Sequence, residues 1–585
     1  MWDYLRFRYR RGTRKARRTG RILRLWSINY IDRHVWGKWH QLRLVRRFLS
    51  IWWAVIAVAF IGLMQQLGYL NSLATVSVPE PGGIYTEAAV GTVNTLNPLL
   101  PESTAASDIN SLIFSGLTRY NARGQVVPDL ATWTVSPDGE TYTFHLRHGV
   151  KWQDGVPFTS ADVAFTLTAI QDPDSHSPLA SSWQGVQFAT PDNFTVVFTL
   201  PQPLASFIDS TTVGIVPRHL LEDIDPTELR TATFNQHPIG TGPFELKTFA
   251  PAGGEIELAA NPNYYFGRPK LDEFDFKFYP TAAAALIAYT QHQVTSPGQL
   301  LPSETTQAQA EPDLLQYKFS LPEEQVLFFN TKDPVLSDAT LRLILSRSLN
   351  RQAVLNSATA GQATVVTQPL LPGQLGYTNQ YQPPPFTRAQ AAAALTAAGW
   401  TQAHPGATRT KNGRELSLQL VTLQNSELGA AATEIKRQWA PLGIKLSITT
   451  AGEDELQQTY MRPRNFQMLL YGLNVGADPD VYAYWHSSQA TDPGVNLSQY
   501  ASDTADHALE SGRIATDPAT RVAKYHTFLQ AWDNDAPAAV LYQTGYVYAT
   551  DASVAGIQAQ HLITPSDRYY DIYRWTVRRR TVPAY

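Results

Sequence analysis

Four residues in the stretch IGTGPFELKT, Gly240, Gly242, Lys247 and Thr248, have the types that could hold a phosphate. A phosphate-cradling loop needs a Gly directly before the Lys, so that backbone amides wrap the anion, and a helix after it. Here Leu246 precedes Lys247 and the segment reads as a strand, so nucleotide chemistry is not expected. Hydrolysis would need a nucleophile, a base and an orienting group, or metal ligands at reachable spacing. The chain has no Cys and neither an HExxH nor a GxSxG pattern, and its 13 His show no cluster. His145 and His148 read as surface residues of a strand rather than metal ligands. Asp478 and Asp480 flank Pro479, where Asp478 suits a turn cap.

The elements that must position these residues are legible from periodicity. YTFHLR alternates Tyr142, Phe144 and Leu146 with polar neighbours, which predicts a half-buried strand between the Asp-Gly turns Asp138-Gly139 and Asp154-Gly155. Thr159 with Asp162 three residues on predicts a helix start, followed by the apolar stripe Val163, Leu167 and Ile170. Leu341, Ile344, Leu345 and Leu349 form a second stripe, and Gly399 suits the residue that ends a helix. ELSLQLVTL, a helix with Leu428, Ile435 and Trp439, and IKLSITT predict a βαβ unit.

At 585 residues the chain exceeds what one core usually serves, and two or three domains are expected. Zero Cys excludes disulfides, thiolate metal sites and attachment through a lipidated Cys. The formal charge of −3 conceals two electrostatic objects. Residues 1–48 hold 15 of the 47 Lys and Arg and only Asp3 and Asp32 of the 50 acids, so everything beyond is net acidic. Between the two lies FLSIWWAVIAVAFIGL, Phe48 to Leu63, about 24 Å as a helix and long enough to span a bilayer if it continues to Leu70. The positive-inside rule then leaves the arm in the cytoplasm and the body outside. An uncleaved signal anchor is favoured over a signal peptide cut after Ser72-Leu73-Ala74. The Arg and aromatic residues of the arm suit anionic lipid better than nucleic acid, or serve topology alone.

Several phrases in order, LNPL, IFSGLTRYNARGQVVPDLATW, SPDGETYTFHLRHGVKWQDGVPFTSADVAFT, GTGPF, FFNTKDPVLSDATLRLIL and DNDAPAAVLYQTGYVYAT, resemble the family 5 extracellular solute-binding proteins. That family includes the dipeptide- and oligopeptide-binding receptors of ABC importers. The resemblance covers about residues 82 to 577. It implies an α/β, two-lobed periplasmic-binding-protein-like fold of type II with an extra subdomain in lobe 1, here preceded by one transmembrane helix. The expected division is 1–47 basic arm, 48–70 anchor, 71–83 linker, 84–325 lobe 1 with its subdomain at about 130–235, 326–534 lobe 2, 535–577 return to lobe 1, and 578–585 basic tail. Two crossings between lobes imply a hinge that closes on ligand.

The implied function is capture of a peptide or other small polar solute without chemistry, and its delivery to permease subunits driven by cytoplasmic ATPases. The implied receptor is a monomer tethered to the cell membrane, with no cofactor and no nucleic-acid partner. The alternative is a tethered sensor or surface module that binds a sugar, metal chelate or haem on the same fold. In relatives the segment matching Tyr471–Gln489 supplies the carboxylate for a ligand ammonium. Dipeptide receptors carry an earlier Asp where this chain has Asn474, Val475, Gly476 and Ala477, which leaves Asp478 and Asp480 as candidates. The expected ligand-binding residues are Asp478, Asn474, Gly476, Tyr482 and Trp485, with Asn94 and Asn97 at the cleft edge. Asp478, Asn94 and Asn97 serve equally well as turn caps, and Tyr482 and Trp485 as core.

Overall fold

The computed structural model describes residues 46–73, 75–250, 254–381 and 384–583, so the basic arm up to residue 45 lies outside them. The chain divides into two compact units, Met1–Val78 with Arg580–Tyr585, and Pro79–Arg579. Among the described residues the first unit has the helix Arg46–Leu73, whose large side chains Phe48, Trp52, Trp53 and Val58 are exposed. Its described side chains run from Phe48 to Gln66, and among the described residues no helix is long and apolar enough to cross a membrane.

The second unit is mixed α/β, with three sheets of four or more strands. In the first sheet, Ile84–Val90 pairs in parallel with Glu273–Tyr279, and Glu255–Ala260 and Phe244–Ala250 follow antiparallel. In the second, Ala131–Val135, Thr141–Leu146, Thr195–Thr199 and Gln187–Asp192 form an antiparallel sheet. The alternation read from YTFHLR holds: Tyr142, Phe144 and Leu146 are buried and His145 is exposed. Thr159 and Asp162 make a reciprocal capping box that starts the helix Ser160–Gln171.

The third sheet is the largest and carries the βαβ unit. Ser417–Leu423 and Lys445–Ala451 are parallel neighbours joined by the helix Ser426–Trp439. A right-handed crossover helix is the usual way to link parallel strands. Met468–Asn474 extends this sheet to Leu314–Phe329, which lies antiparallel to Ala538–Asp551.

Those last two strands, called here the crossing and return strands, serve different cores at their two ends. One end places Phe319, Tyr546 and Tyr548 in the core built by residues 85–276. The other places Leu327, Phe329, Ala539 and Leu541 in a core with Trp400, Trp439 and Leu470, and Val326, Phe328 and Val540 in a third with Trp485 and Trp532. Between the two ends the pairing slips: Ser320 faces Gly545 and Glu324 faces Gln543, which leaves Leu321-Pro322-Glu323 out of the ladder. Pro322 has no N–H to donate, so the interruption falls where the sequence cannot sustain a ladder bond.

Candidate ligand-binding site

The stretch that imitates a phosphate loop is explained by packing. A Cβ on Gly240 would stand 1.8 Å from the Ile113 carbonyl oxygen, and the Gly242 N–H donates to that same oxygen at 2.8 Å. Only glycine permits this approach to the end of the helix Thr104–Ile113. Phe244–Ala250 is a strand, and Lys247 pairs with Glu273 at 2.8 Å. The pattern therefore seats a helix, and that helix lines a cavity.

Ser103 caps the helix, its hydroxyl accepting from the Ala106 N–H at 3.1 Å. The following segment turns back beside residues 211–215, where Thr118 N–H donates to the Thr211 carbonyl at 3.2 Å and Ile215 N–H to the Ser115 carbonyl at 2.9 Å. These bonds bring Tyr120 to Asp209, and the Tyr120 hydroxyl donates to Asp209 Oδ1 at 2.8 Å.

The resulting cavity has a volume of about 600 Å³ and is lined among others by Ser107, Asn110, Arg119, Tyr120, Asp129 and Asp209. That size suits a small organic ligand or part of a peptide. Asp129 accepts from the Tyr265 hydroxyl at 2.6 Å and lies 3.9 Å from Arg119 Nε; burial raises its carboxyl, with Arg119 opposing. Arg119 sits between the rings of Phe266 and Tyr570, 4.5 and 4.6 Å from their centres. Burial, foremost, lifts the Asp209 carboxyl to about 6, and the charge of Asp478 adds to the rise. Asn110 is buried and its Oδ1 has no hydrogen-bond partner.

A second polar cluster lies where the crossing and return strands change cores. Gln325 Nε2 donates to Glu323 Oε1 at 3.2 Å and to Thr544 Oγ1 at 3.4 Å, and the Tyr542 hydroxyl donates to Glu427 Oε1 at 2.8 Å. Burial raises both glutamates, and the charge of Glu427 raises Glu323 further.

The residues singled out in the sequence fall into three settings. Asn94 is exposed; Asn97 is buried, donates to Asn235 Oδ1 at 3.0 Å and accepts from the Leu99 N–H at 3.0 Å, and its neighbour Pro98 lines the cavity. Asn474 ends its strand exposed, accepting from the Gly476 N–H at 3.0 Å, while Gly476 at φ 70° offers its carbonyl to Gln374 Nε2 at 2.9 Å. Both oxygens of Asp478 hold Arg521, at 2.9 and 2.6 Å, and Asp480 holds Arg513 Nε at 2.9 Å. Arg513 also lies 4.3 Å over the ring of Tyr482, which stacks on His486. Trp485 is fully buried against Phe328 and Trp532.

The charge of Asp478 nonetheless acts on Tyr120 and Asp209 of the cavity wall. Sequence reasoning missed Asp209, Arg119 and Arg521. None belongs to a local motif, and an Asp in SFIDSTT or an Arg on an amphipathic helix carries no signal of its own.

The fold and cleft meet a family model. Residues 125–494 match the bacterial extracellular solute-binding proteins, family 5, middle, and the chain belongs to that family. Its members are solute receptors of transport systems rather than enzymes. The chain is 26% identical over 510 residues to the oligopeptide-binding protein AppA of Bacillus subtilis, covering 85% of this chain and 92% of that one. It is 29% identical over 547 residues to Protein XP55 of Streptomyces lividans, covering 90% and 93%. Among solved structures, Bacillus subtilis AppA in complex with a nonapeptide superposes with a TM-score of 0.68 at 24% identity, covering 86% of this chain and all of that one.

Proposed function

We propose that this receptor captures oligopeptides outside the cytoplasm and delivers them to the permease subunits of an ABC importer. The observation that carries the reading is the roomy cavity of about 600 Å³, walled by hydroxyls, amides and three carboxylates, in a chain of this family. Peptide main chain presents alternating donors and acceptors, which such a wall meets directly or through water. The likeness to a protein named oligopeptide-binding supports the same ligand class.

Closure is assigned to the crossing and return strands. Residues 84–325 with 535–577 form one lobe and 326–534 the other, and the break at Leu321-Pro322-Glu323 is the point of flexure. The Asp478 loop, with Asn474, Gly476 and Tyr482, forms the rim opposite the cavity. The helix Arg46–Leu73, with its exposed Trp and Phe side chains and the cationic residues before it, serves as a single-pass anchor with the N-terminus inside. The tethered receptor acts as a monomer.

Native mass spectrometry of the full chain in detergent, with a thermal-shift screen of peptide pools, tests the reading. Co-purified peptides, or a rise in melting temperature with peptides, are expected. A protein indifferent to peptides that shifts with sugars, metal chelates or haem would overturn the ligand class.

A further inference from the structure

Asp478, the carboxylate that the sequence nominates for a ligand cation, is already neutralised, since Arg521 occupies both of its oxygens. Of the three carboxylates that line the cavity, Asp129 faces Arg119 and accepts from Tyr265, and Asp567 accepts from the Ile563 and Thr564 N–H groups and the Thr564 hydroxyl. The third, Asp209, accepts from the Tyr120 hydroxyl and has no ion-pair partner among the described residues. Asn110, 6% exposed, lines the same cavity with its Oδ1 unpartnered. A part-buried carboxylate with one hydrogen bond retains lone pairs open to a donor from the ligand, and a cationic donor gains most.

We propose that Asp209, with Tyr120 bonded to it and the Asn110 side-chain oxygen lining the same cavity, is the receptor for a positively charged group of the ligand, an alkylammonium or a guanidinium. The proposal rests on the reading that this cavity takes a peptide, and it makes cation-bearing peptides the preferred class. The charge comes from the peptide amino terminus or from a Lys or Arg side chain. Because the Asp209 carboxyl sits at about 6, acidification through that range removes the attraction. The groups facing it are Tyr120 on its strand, Asp478 on the loop and Arg521 on the helix Pro518–Asp535; Asp478 raises it, and Tyr120 and Arg521 lower it.

The test is calorimetry on the full chain in detergent with matched peptides: Lys against norleucine, Arg against citrulline, and free against acetylated amino termini. The wild type is expected to prefer the charged member of one pair by about tenfold, and which pair shows it identifies the source of the charge. Asp209→Asn is expected to abolish that preference, lowering affinity for the charged peptide to that of its neutral analogue. In the wild type alone, affinity for the charged peptide is expected to fall between pH 7.5 and 5 while the neutral analogue changes little, a readout that needs no variant.

Equal affinity of wild type and Asp209→Asn for the charged peptide, or a pH-independent preference, would overturn the proposal and leave peptide capture standing. Absence of binding to every peptide would instead refute peptide capture. Thermal shifts with cadaverine and agmatine then decide the cation site: a shift in the wild type that is lost in Asp209→Asn supports it, and no shift overturns it.

Discussion

Arg521 grips Asp478 with two parallel bonds, Nη1 to Oδ2 at 2.9 Å and Nη2 to Oδ1 at 2.6 Å, with only 9% and 16% of the two side chains exposed. The bond ties the helix Pro518–Asp535 to the loop after Met468–Asn474. A fork-on-carboxylate pair of this kind fixes geometry as well as charge. The acidic loop is thereby held in one shape before any ligand arrives.

Asp478→Ala leaves a largely buried guanidinium without its partner, and a loss of about 3 kcal/mol in unfolding free energy is expected. Adding Arg521→Met should restore much of that loss, because the orphaned charge disappears. Urea denaturation followed by circular dichroism reads both variants. A single variant as stable as the wild type would refute the structural role.

Arg568 is a second such device, deeper in the first core. It is 2% exposed and bonds Glu87 at 2.8 Å and Asp108 at 2.6 and 2.9 Å, joining the strand Ile84–Val90 and the helix Thr104–Ile113 to the C-terminal segment. Arg568→Met strands two buried carboxylates, and a destabilisation of roughly 3–5 kcal/mol is expected. Asp108→Asn keeps an acceptor and should cost less. Equal melting temperatures for the Arg568 variant and the wild type would contradict this.

Glu324 is fully buried on the crossing strand, and both carboxyl oxygens lack partners. Burial holds its carboxyl well above the ordinary carboxylate range. A carboxyl raised in the folded state holds its proton longer there than in the unfolded chain, so stability is greatest at low pH and falls as pH rises through the folded value. Glu324→Gln should flatten that fall and be more stable than the wild type by about 2 kcal/mol at pH 8. Melting temperatures from pH 5 to 8 test it, and parallel curves for the two proteins would refute the assignment.

Gly545 lies on the return strand opposite Ser320, at the edge of the slipped register. A Cβ there would stand 1.6 Å from the Gln362 carbonyl oxygen, a backbone atom that cannot step aside alone. Gly545→Ala is expected to cost about 3 kcal/mol and to weaken peptide binding, since it displaces the strands proposed as the hinge. Unchanged stability together with unchanged affinity would show that the Gln362 segment yields freely.

By itself, the sequence determined what neighbouring residues decide. The capping box at Thr159 and Asp162, the alternation from Tyr142 to Leu146, the stripe from Leu341 to Leu349, the turn at Gly399 and the βαβ unit from Ser417 to Ala451 all appear where periodicity and turn chemistry place them. All but the βαβ unit depend on contacts a few residues apart, and the order of these phrases carried the family resemblance, which the match over 125–494 bears out.

Tertiary structure alone decided which polar groups are available to a ligand. The cavity is assembled from residues near 98–129, 209–214 and 564–573. Asp478 finds its cation 43 positions away on another element, and Asp209 meets Tyr120 across 89. Whether a carboxylate is paired depends on what burial brings beside it, and no local pattern in the chain encodes that encounter.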